Sequence, residues 1–204
     1  MAINYPLTLP STTGIKRIEM SFLTSVAVTR SQFTLNQQVQ VYPGQMWGAE
    51  VTLPKMTVEQ SGAWQSFLLK LNGQQGTFKL GDPTKQEPRG TALGIPLVNG
   101  AGQSGQELIT NGWDINEIGL LLAGDHIQLA GNRLHQVLND VSSDGSGNAT
   151  IDIWPSLRTA PADNEPLVLI NPKGLFRLVD NSENVQNIDQ TRTISLKFAA
   201  VESL

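Results

Sequence analysis

The sequence predicts an all-β protein with one packed α-helix, on three observations. Apolar residues alternate with a period of two over much of the chain, which is the spacing of strands that bury one face. The 204 residues include 19 glycines and 11 prolines, which indicates many short strands joined by tight turns. Only the segment 57–73 has the apolar period of a helix. These patterns favour a β-sandwich with one helix and a small β-barrel.

The helix is predicted over 58–72. Thr57 and Gln60 have the spacing of a capping box, in which each residue binds the backbone of the other. The apolar positions recur at helical spacing and form one stripe, consisting of Trp64, Phe67, Leu68 and Leu71. Gly73 is expected to end the helix, because glycine adopts the left-handed conformation at little cost. A short strand and turn, GTFKLGDP at 76–83, follow.

Alternation between residues 15 and 53 predicts an antiparallel meander with one buried face. A turn is expected at Tyr42-Pro43-Gly44, where proline and glycine are adjacent. The apolar positions of this meander are Ile18, Met20, Phe22, Val26, Val28, Phe33, Leu35, Val39, Val41, Trp47, Ala49, Val51 and Leu53.

The chain is predicted to form two domains, one inserted into the other. Beyond Pro83 the sequence turns polar, and a loop of small residues occupies 99–105. The terminal segment 194–200 alternates cleanly and is expected to return to the first sheet. We therefore predict a β-sandwich domain from 1–88 and 172–204, interrupted by a small β-barrel at 89–171.

Composition gives little support for catalysis. The chain has no cysteine and two histidines, which excludes disulfides, thiolate metal sites and cysteine nucleophiles. Its net charge of −4 gives no electrostatic reason to expect nucleic acid or an anionic membrane as a partner. No segment approaches the about 20 apolar residues of a membrane helix, and no signal peptide is recognisable. We expect a non-enzymatic protein without cofactors, made in a cytoplasm.

Two binding hypotheses remain open at this stage. A hairpin at Gly131-Asn132 in which Ala130 pairs with Arg133 would make His126 and His135 diagonal neighbours. With Asp125 or Asp140 they could bind zinc, but spacing fixes no third ligand, so no metal site is predicted. Separately, Trp113 and Trp154, with Trp47, could form a platform on which sugar rings stack, although tryptophans on strands are more often core or interface residues. The alternative function is therefore a carbohydrate-binding module for attachment to a host surface.

Several segments in order resemble one protein family. The helix with Trp64 and Phe67, followed by GTFKLGDP at 76–83, resembles the first domain of distal tail proteins of tailed bacteriophages. The later segments similar to that family are AGDHIQL at 123–129, LHQVLNDV at 134–141, DGSGNATIDIWPSLR at 144–158 and TISLKFAAVESL at 193–204. The resemblance implies a first domain like that of tail-tube subunits, with an inserted β-unit of OB-like or galectin-like type.

The same resemblance implies a structural function at the tip of a long non-contractile tail. Identical copies would form a hexameric ring that joins the tail tube to the hub, tape-measure and fibre proteins. DNA would pass through its lumen without specific binding, and the protein would reside in the virion after synthesis in the bacterial host cytoplasm. The intersubunit element is expected to be the hairpin at 26–41, with the contact residues Val26, Val28, Phe33, Leu35, Val39 and Val41.

Overall fold

The computed structural model describes residues 3–182, 185–188 and 193–204, with the backbone alone for 185–188. Positions 1–2, 183–184 and 189–192 of the predicted sandwich domain lie outside the described residues. In chain order the elements are β1 (Arg17–Arg30), β2 (Gln37–Thr52), α1 (Val58–Leu71), β3 (Phe78–Leu80), β4 (Gly94–Val98), β5 (Gly105–Trp113), β6 (His126–Leu129), β7 (Arg133–Val137), β8 (Ala149–Leu157), β9 (Gly174–Leu178), β10 (Val185–Ile188) and β11 (Ile194–Glu202). The predicted all-β fold with one helix is confirmed.

The first sheet combines strands from the beginning and the end of the chain. Its order is β1-β2-β11-β9-β3, with β10 paired to β11, and all of these neighbours are antiparallel. The terminal strand β11 lies beside β2, with Phe198 opposite Val51 and Ala200 opposite Ala49. Its buried side chains alternate along the strand, as the sequence pattern predicted.

The helix α1 covers one face of this sheet. Thr57 accepts a hydrogen bond from the Gln60 amide, and the Gln60 side chain accepts one from the Thr57 amide, so the predicted capping box is confirmed. The predicted stripe of Trp64, Phe67, Leu68 and Leu71 is buried in the first core. The helix ends at Leu71, because Asn72 and Gly73 both have left-handed backbones, with φ of 50° and 65°.

The predicted meander is instead one long hairpin of β1 and β2. Tyr42-Pro43-Gly44 forms no turn but lies within β2, because the pairing shifts between Thr24 opposite Gln45 and Val26 opposite Val41. Three residues of β2 thus lie opposite one residue of β1. This bulge accommodates the proline and glycine, and the chain does not reverse there. The reversal occurs at 31–36, where Leu35 has a φ of 60°. Phe33 and Leu35 are therefore turn residues, and their prediction as alternating strand positions of the meander is wrong.

The second sheet has the order β4-β5-β8-β7-β6 and curls into a barrel-like unit. The segment 165–168 bridges its two edges, with the Val98 amide bound to the Glu165 carbonyl and the Gln128 amide to the Val168 carbonyl, both at 2.9 Å. Its core is apolar and includes Val98, Leu108, Leu120, Leu121, Ile127, Leu129, Ile151 and Ile153.

The two sheets meet at Trp47 of β2. Its indole Nε1 donates to the Leu134 carbonyl at 3.0 Å, and its ring packs edge-on against Trp154 with centroids 4.8 Å apart. Its backbone amide donates at 3.1 Å to the Glu202 carboxylate, which is paired with Arg158 at 3.1 Å. These contacts hold the barrel against the end of the first sheet.

The chain enters and leaves the barrel side by side. The Asn171 amide donates to the Gln86 carbonyl at 2.7 Å. Next to this point the Arg89 amide and guanidinium both donate to the buried carboxylate of Asp125 at 3.1 Å. The connections are thus fixed by hydrogen bonds, although the sequence there is rich in polar turn residues.

Replacing Thr57 by alanine should lower the free energy of unfolding by about 1 kcal/mol, because the Gln60 amide loses its capping acceptor. Denaturant unfolding followed by circular dichroism measures this loss. Thr159→Ala, at an exposed site where the backbone carbonyl rather than the side chain binds Arg133, is the matched control and should change stability by less than about 0.5 kcal/mol. Equal effects of both substitutions would contradict the capping account.

Candidate functional site

The outer half of the β1–β2 hairpin extends beyond its neighbours. The pairing of β11 with β2 spans Val201 opposite Gly48 to Lys197 opposite Thr52, so it covers only the inner part of β2. Within the described part of the chain, the order of the sheet places β1 at an edge and gives residues 37–45 of β2 no partner other than β1. Unpaired edge groups are ready sites for pairing with another strand.

One face of this outer hairpin is apolar and exposed. Val26 lies directly opposite Val41, and Val28 lies opposite Val39, so the four side chains share one face. Their exposed fractions are 49, 67, 59 and 55%, and at the turn Phe33 is 97% and Leu35 59% exposed. The structure thus brings all six residues of the predicted contact set onto one projecting element, which we call the valine hairpin (residues 26–41).

The opposite face of the valine hairpin is uncharged and polar. Ala27 pairs with Gln40 and Thr29 with Gln38 on this face. Between Met20 and Ala49 the sequence contains a single charged residue, Arg30. The hairpin therefore presents one face of valines, with Arg30 beside its turn, and one neutral, mainly polar face, as strand alternation allows.

An isolated ribbon of this kind is poorly stabilised in water. A two-stranded hairpin is marginally stable on its own, and no third strand or helix from residues 3–182, 185–188 or 193–204 pairs with the outer half. Burying a fully exposed valine contributes about 1.5 to 3 kcal/mol, and these four are about half exposed, so covering each of them would contribute about half of that. The geometry is that of an interaction surface rather than of a catalytic cleft.

Sequence reasoning missed the apolar residues at the base of the hairpin. Phe22, Leu23 and Tyr42 are 60, 46 and 50% exposed. Phe22 was assigned to the buried face because it continues the alternation of Ile18 and Met20. The lack of charged residues between Glu19 and Arg30 could have indicated that these apolar residues are exposed for another purpose than solvation. A strand face in contact with water normally carries charged residues.

The two tryptophans of the sugar-stacking hypothesis are not on a common surface. Trp113 is 4% exposed, belongs to the barrel core and donates through Nε1 to the Thr110 hydroxyl at 2.8 Å. Trp154 packs against the core of the first sheet, between Trp47 and Phe22, with centroid distances of 4.8 and 5.2 Å. The two indoles therefore do not form the predicted sugar-stacking platform, because they pack in two separate cores.

The two histidines lie on opposite faces of their hairpin. Its register pairs Leu129 with Arg133, one residue away from the pairing expected, because the turn contains three residues and not two. His126 is consequently opposite Gln136, and His135 is opposite Ile127. Among the described residues, no three histidine or carboxylate side chains are grouped closely enough to hold a metal ion.

Both imidazoles are buried and favour the neutral form. His135 is 5% exposed, and its Nδ1 lies 2.8 Å from the Pro155 carbonyl, which requires that this nitrogen carry the proton. Burial lowers the pKa of His135 to about 4, with Arg133 and Arg158 adding to the effect against the Pro155 hydrogen bond. Burial also lowers the pKa of His126, which packs 5.5 Å from the Trp47 ring.

A cavity of about 450 Å³ lies where the barrel meets the end of the first sheet. Its wall includes His135 and the charged side chains of Arg133, Arg158 and Glu202. Arg133 is paired with Glu165 at 3.3 Å, and Arg158 with Glu202 at 3.1 Å. The three charged side chains of this wall are thus compensated by ion pairs.

No helix in the described part of the chain combines the length and apolar character needed to cross a bilayer. The valine hairpin is the candidate functional element because of its geometry, its exposure and its single charged residue, Arg30.

Lowering the pH should destabilise the protein partly through His135. The unfolded chain binds a proton at this imidazole near pH 6.5, whereas the folded chain resists protonation until about pH 4. Stability is therefore lost as the pH falls through this window, by up to about 3 kcal/mol for this group. Urea unfolding at several pH values should show a shallower decline for His135→Gln, which does not titrate. An identical decline in both proteins would contradict the assignment.

Neither a scan against models of known protein families nor a search of curated proteins finds a match for this chain.

Proposed function

We propose that this protein is a structural tail-tip component of a siphophage-like particle, in which identical copies form a hexameric ring between the tail tube and the hub and fibre proteins. The observation that supports it is the valine hairpin, a long projecting ribbon with an exposed apolar face and free backbone edges. The assignment to a phage tail tip comes from the series of segments that resembles distal tail proteins.

The ring would close through a head-to-tail contact in which the hairpin of one copy packs on its neighbour. Such a contact uses two different surfaces and closes when the rotation between copies divides a full turn. The neighbour offers the free edge of β1 and the apolar base around Phe22 and Leu23. Closure covers both the valine face and the strand edges, which removes surfaces that otherwise favour open-ended association.

The polar face of the hairpin suits the lumen of such a ring. Thr29, Gln38 and Gln40 present hydroxyl and amide groups without positive charge. Binding of DNA depends mainly on cationic side chains that neutralise phosphates. A lining of this kind lets DNA pass without holding it.

The barrel would then be an inserted domain at 89–171, carried by a ring domain of 1–88 and 172–204. Support comes from the strand order, since the first sheet uses strands from both sides of this segment and the second sheet uses strands from within it. The protein would act by shape in the virion, without a catalytic step or cofactor. Because Trp113 and Trp154 belong to separate cores, no observation favours the carbohydrate-binding alternative.

Placing opposite charges on the valine face should prevent self-association. In Val28→Lys with Val39→Glu the two new side chains face each other, so the hairpin keeps a favourable cross-strand pair. Burying this pair in an interface is costly, and we expect association at least about tenfold weaker in sedimentation velocity. The matched control is Thr29→Lys with Gln38→Glu, the adjacent pair on the polar face.

The two double variants separate the proposal from a general effect of charge. The control should assemble as the wild type does, and both should unfold at the same denaturant concentration as the wild type. Equal loss of assembly in both variants would show that the apolar face is not the contact. A wild-type chain that stays monomeric at tens of micromolar would count against the ring itself.

A further inference from the structure

The barrel has an end that faces away from the first sheet. Strand β8 contacts that sheet near its C-terminal end, through Trp154 and through the Ser156 amide, which donates to the Gln45 side chain at 2.8 Å. Its other end, at Ala149, is five residues from Trp154 and seven from Ser156, or about 16 to 23 Å along the strand at about 3.3 Å per residue. The loops 114–119 and 143–147 cluster there, joined by hydrogen bonds from the Asn116 amide to the Asp144 carbonyl and from the Glu117 amide to the Ser143 hydroxyl.

Four large apolar side chains are exposed at this far end. They are Leu93 at 43%, Ile95 at 77%, Ile115 at 63% and Ile118 at 84% exposed, and we call them the isoleucine patch. Their backbone segments are neighbours, because the Asp114 amide donates to the Leu93 carbonyl at 3.2 Å and the Thr91 amide to the Gly119 carbonyl at 3.0 Å. Exposed apolar side chains on neighbouring segments are a common feature of interaction surfaces.

The charged side chains on the loops that carry the isoleucine patch are negative, and Arg89, two residues before Thr91, is paired with Asp125 at 3.1 Å. Asp114, Glu117 and Asp144 belong to the loops that carry or adjoin it. The sequence contains no lysine or arginine between Arg89 and Arg133, nor between Arg133 and Arg158. Amide donors from Asn148 and Ser146 lower the pKa of Asp144, so this carboxylate stays ionised in mildly acidic solution as well.

The geometry points to the isoleucine patch as a docking surface for a different protein, one that presents apolar side chains surrounded by lysine or arginine. An apolar centre with a charged rim is the usual anatomy of a protein interface, and rim charges select partners of opposite sign. Phosphate-rich nucleic acid and anionic membranes are repelled by the rim. A second copy offering the same patch is repelled likewise, so a symmetric contact between copies is disfavoured. The inference does not depend on ring formation.

A peptide selection on the whole chain tests this surface. The probe is a yeast-displayed library of short random peptides, selected for binding to the labelled protein. We expect the recovered peptides to combine lysine or arginine with large apolar residues. Their binding should fall by about tenfold on Ile115→Ser with Ile118→Ser and should weaken as salt is added. Leu69→Ser, which alters an apolar helix residue that is 79% exposed, is the matched control and should bind as the wild type does.

A second variant tests the rim separately. Asp114→Asn with Glu117→Gln removes two charges and keeps the shape, so binding of the same peptides should lose most of its salt dependence. The proposal would be overturned if the selection recovered no peptide, or only peptides without basic residues. It would also be overturned if the peptides bound both double variants as they bind the wild type. Loss of self-association in Ile115→Ser with Ile118→Ser would also overturn it, because the patch would then join copies of this chain.

Discussion

The arrangement of the molecule depends on how Trp47 is buried between the two sheets. Its indole N–H is satisfied by a backbone carbonyl of the barrel, and its own amide is satisfied by Glu202. A buried tryptophan usually has a hydrogen-bond acceptor for its indole N–H. Here the acceptor is the Leu134 carbonyl, which belongs to the barrel. The position of the barrel depends on this contact together with the hydrogen bonds from the Leu175 amide to the Asn132 carbonyl and from the Ser156 amide to the Gln45 side chain.

The hairpin occupies two environments along a single pair of strands. In its inner half, Ala49 and Val51 are buried against β11 and the helix, and a conventional core results. Beyond the irregular pairing near Thr24 the same alternation continues without anything to cover it. The sequence keeps its apolar pattern and loses its charges, which is consistent with a surface meant for another protein and not for water. The proposed ring and the proposed dock at the far end of the barrel would then use two different surfaces of one molecule.

Local signals in the sequence predicted the helix and the returning terminal strand well. The capping box, the stripe of Trp64 to Leu71 and the alternation of β11 depend on neighbouring residues alone, and short-range patterns determine them. The six residues of the predicted contact set do belong to one hairpin and its turn, and their role in a contact stays a prediction. What could not be predicted depends on distant partners. Whether Pro43 makes a turn or a bulge is decided by the opposite strand, and a one-residue change of register moved His135 to the other face.

The paired entry and exit of the barrel have an evolutionary consequence. Because Gln86 and Asn171 are hydrogen-bonded neighbours, a module of almost any size can be grafted at this stem without stretching the strands on either side. Not every inserted module would fit, because removing the barrel would expose the Trp47 indole and leave Glu202 without Arg158. A replacement has to bring its own carbonyl acceptor, its own apolar cover and a cation. Recombination at this position is thus permitted by the backbone and restricted by one aromatic side chain.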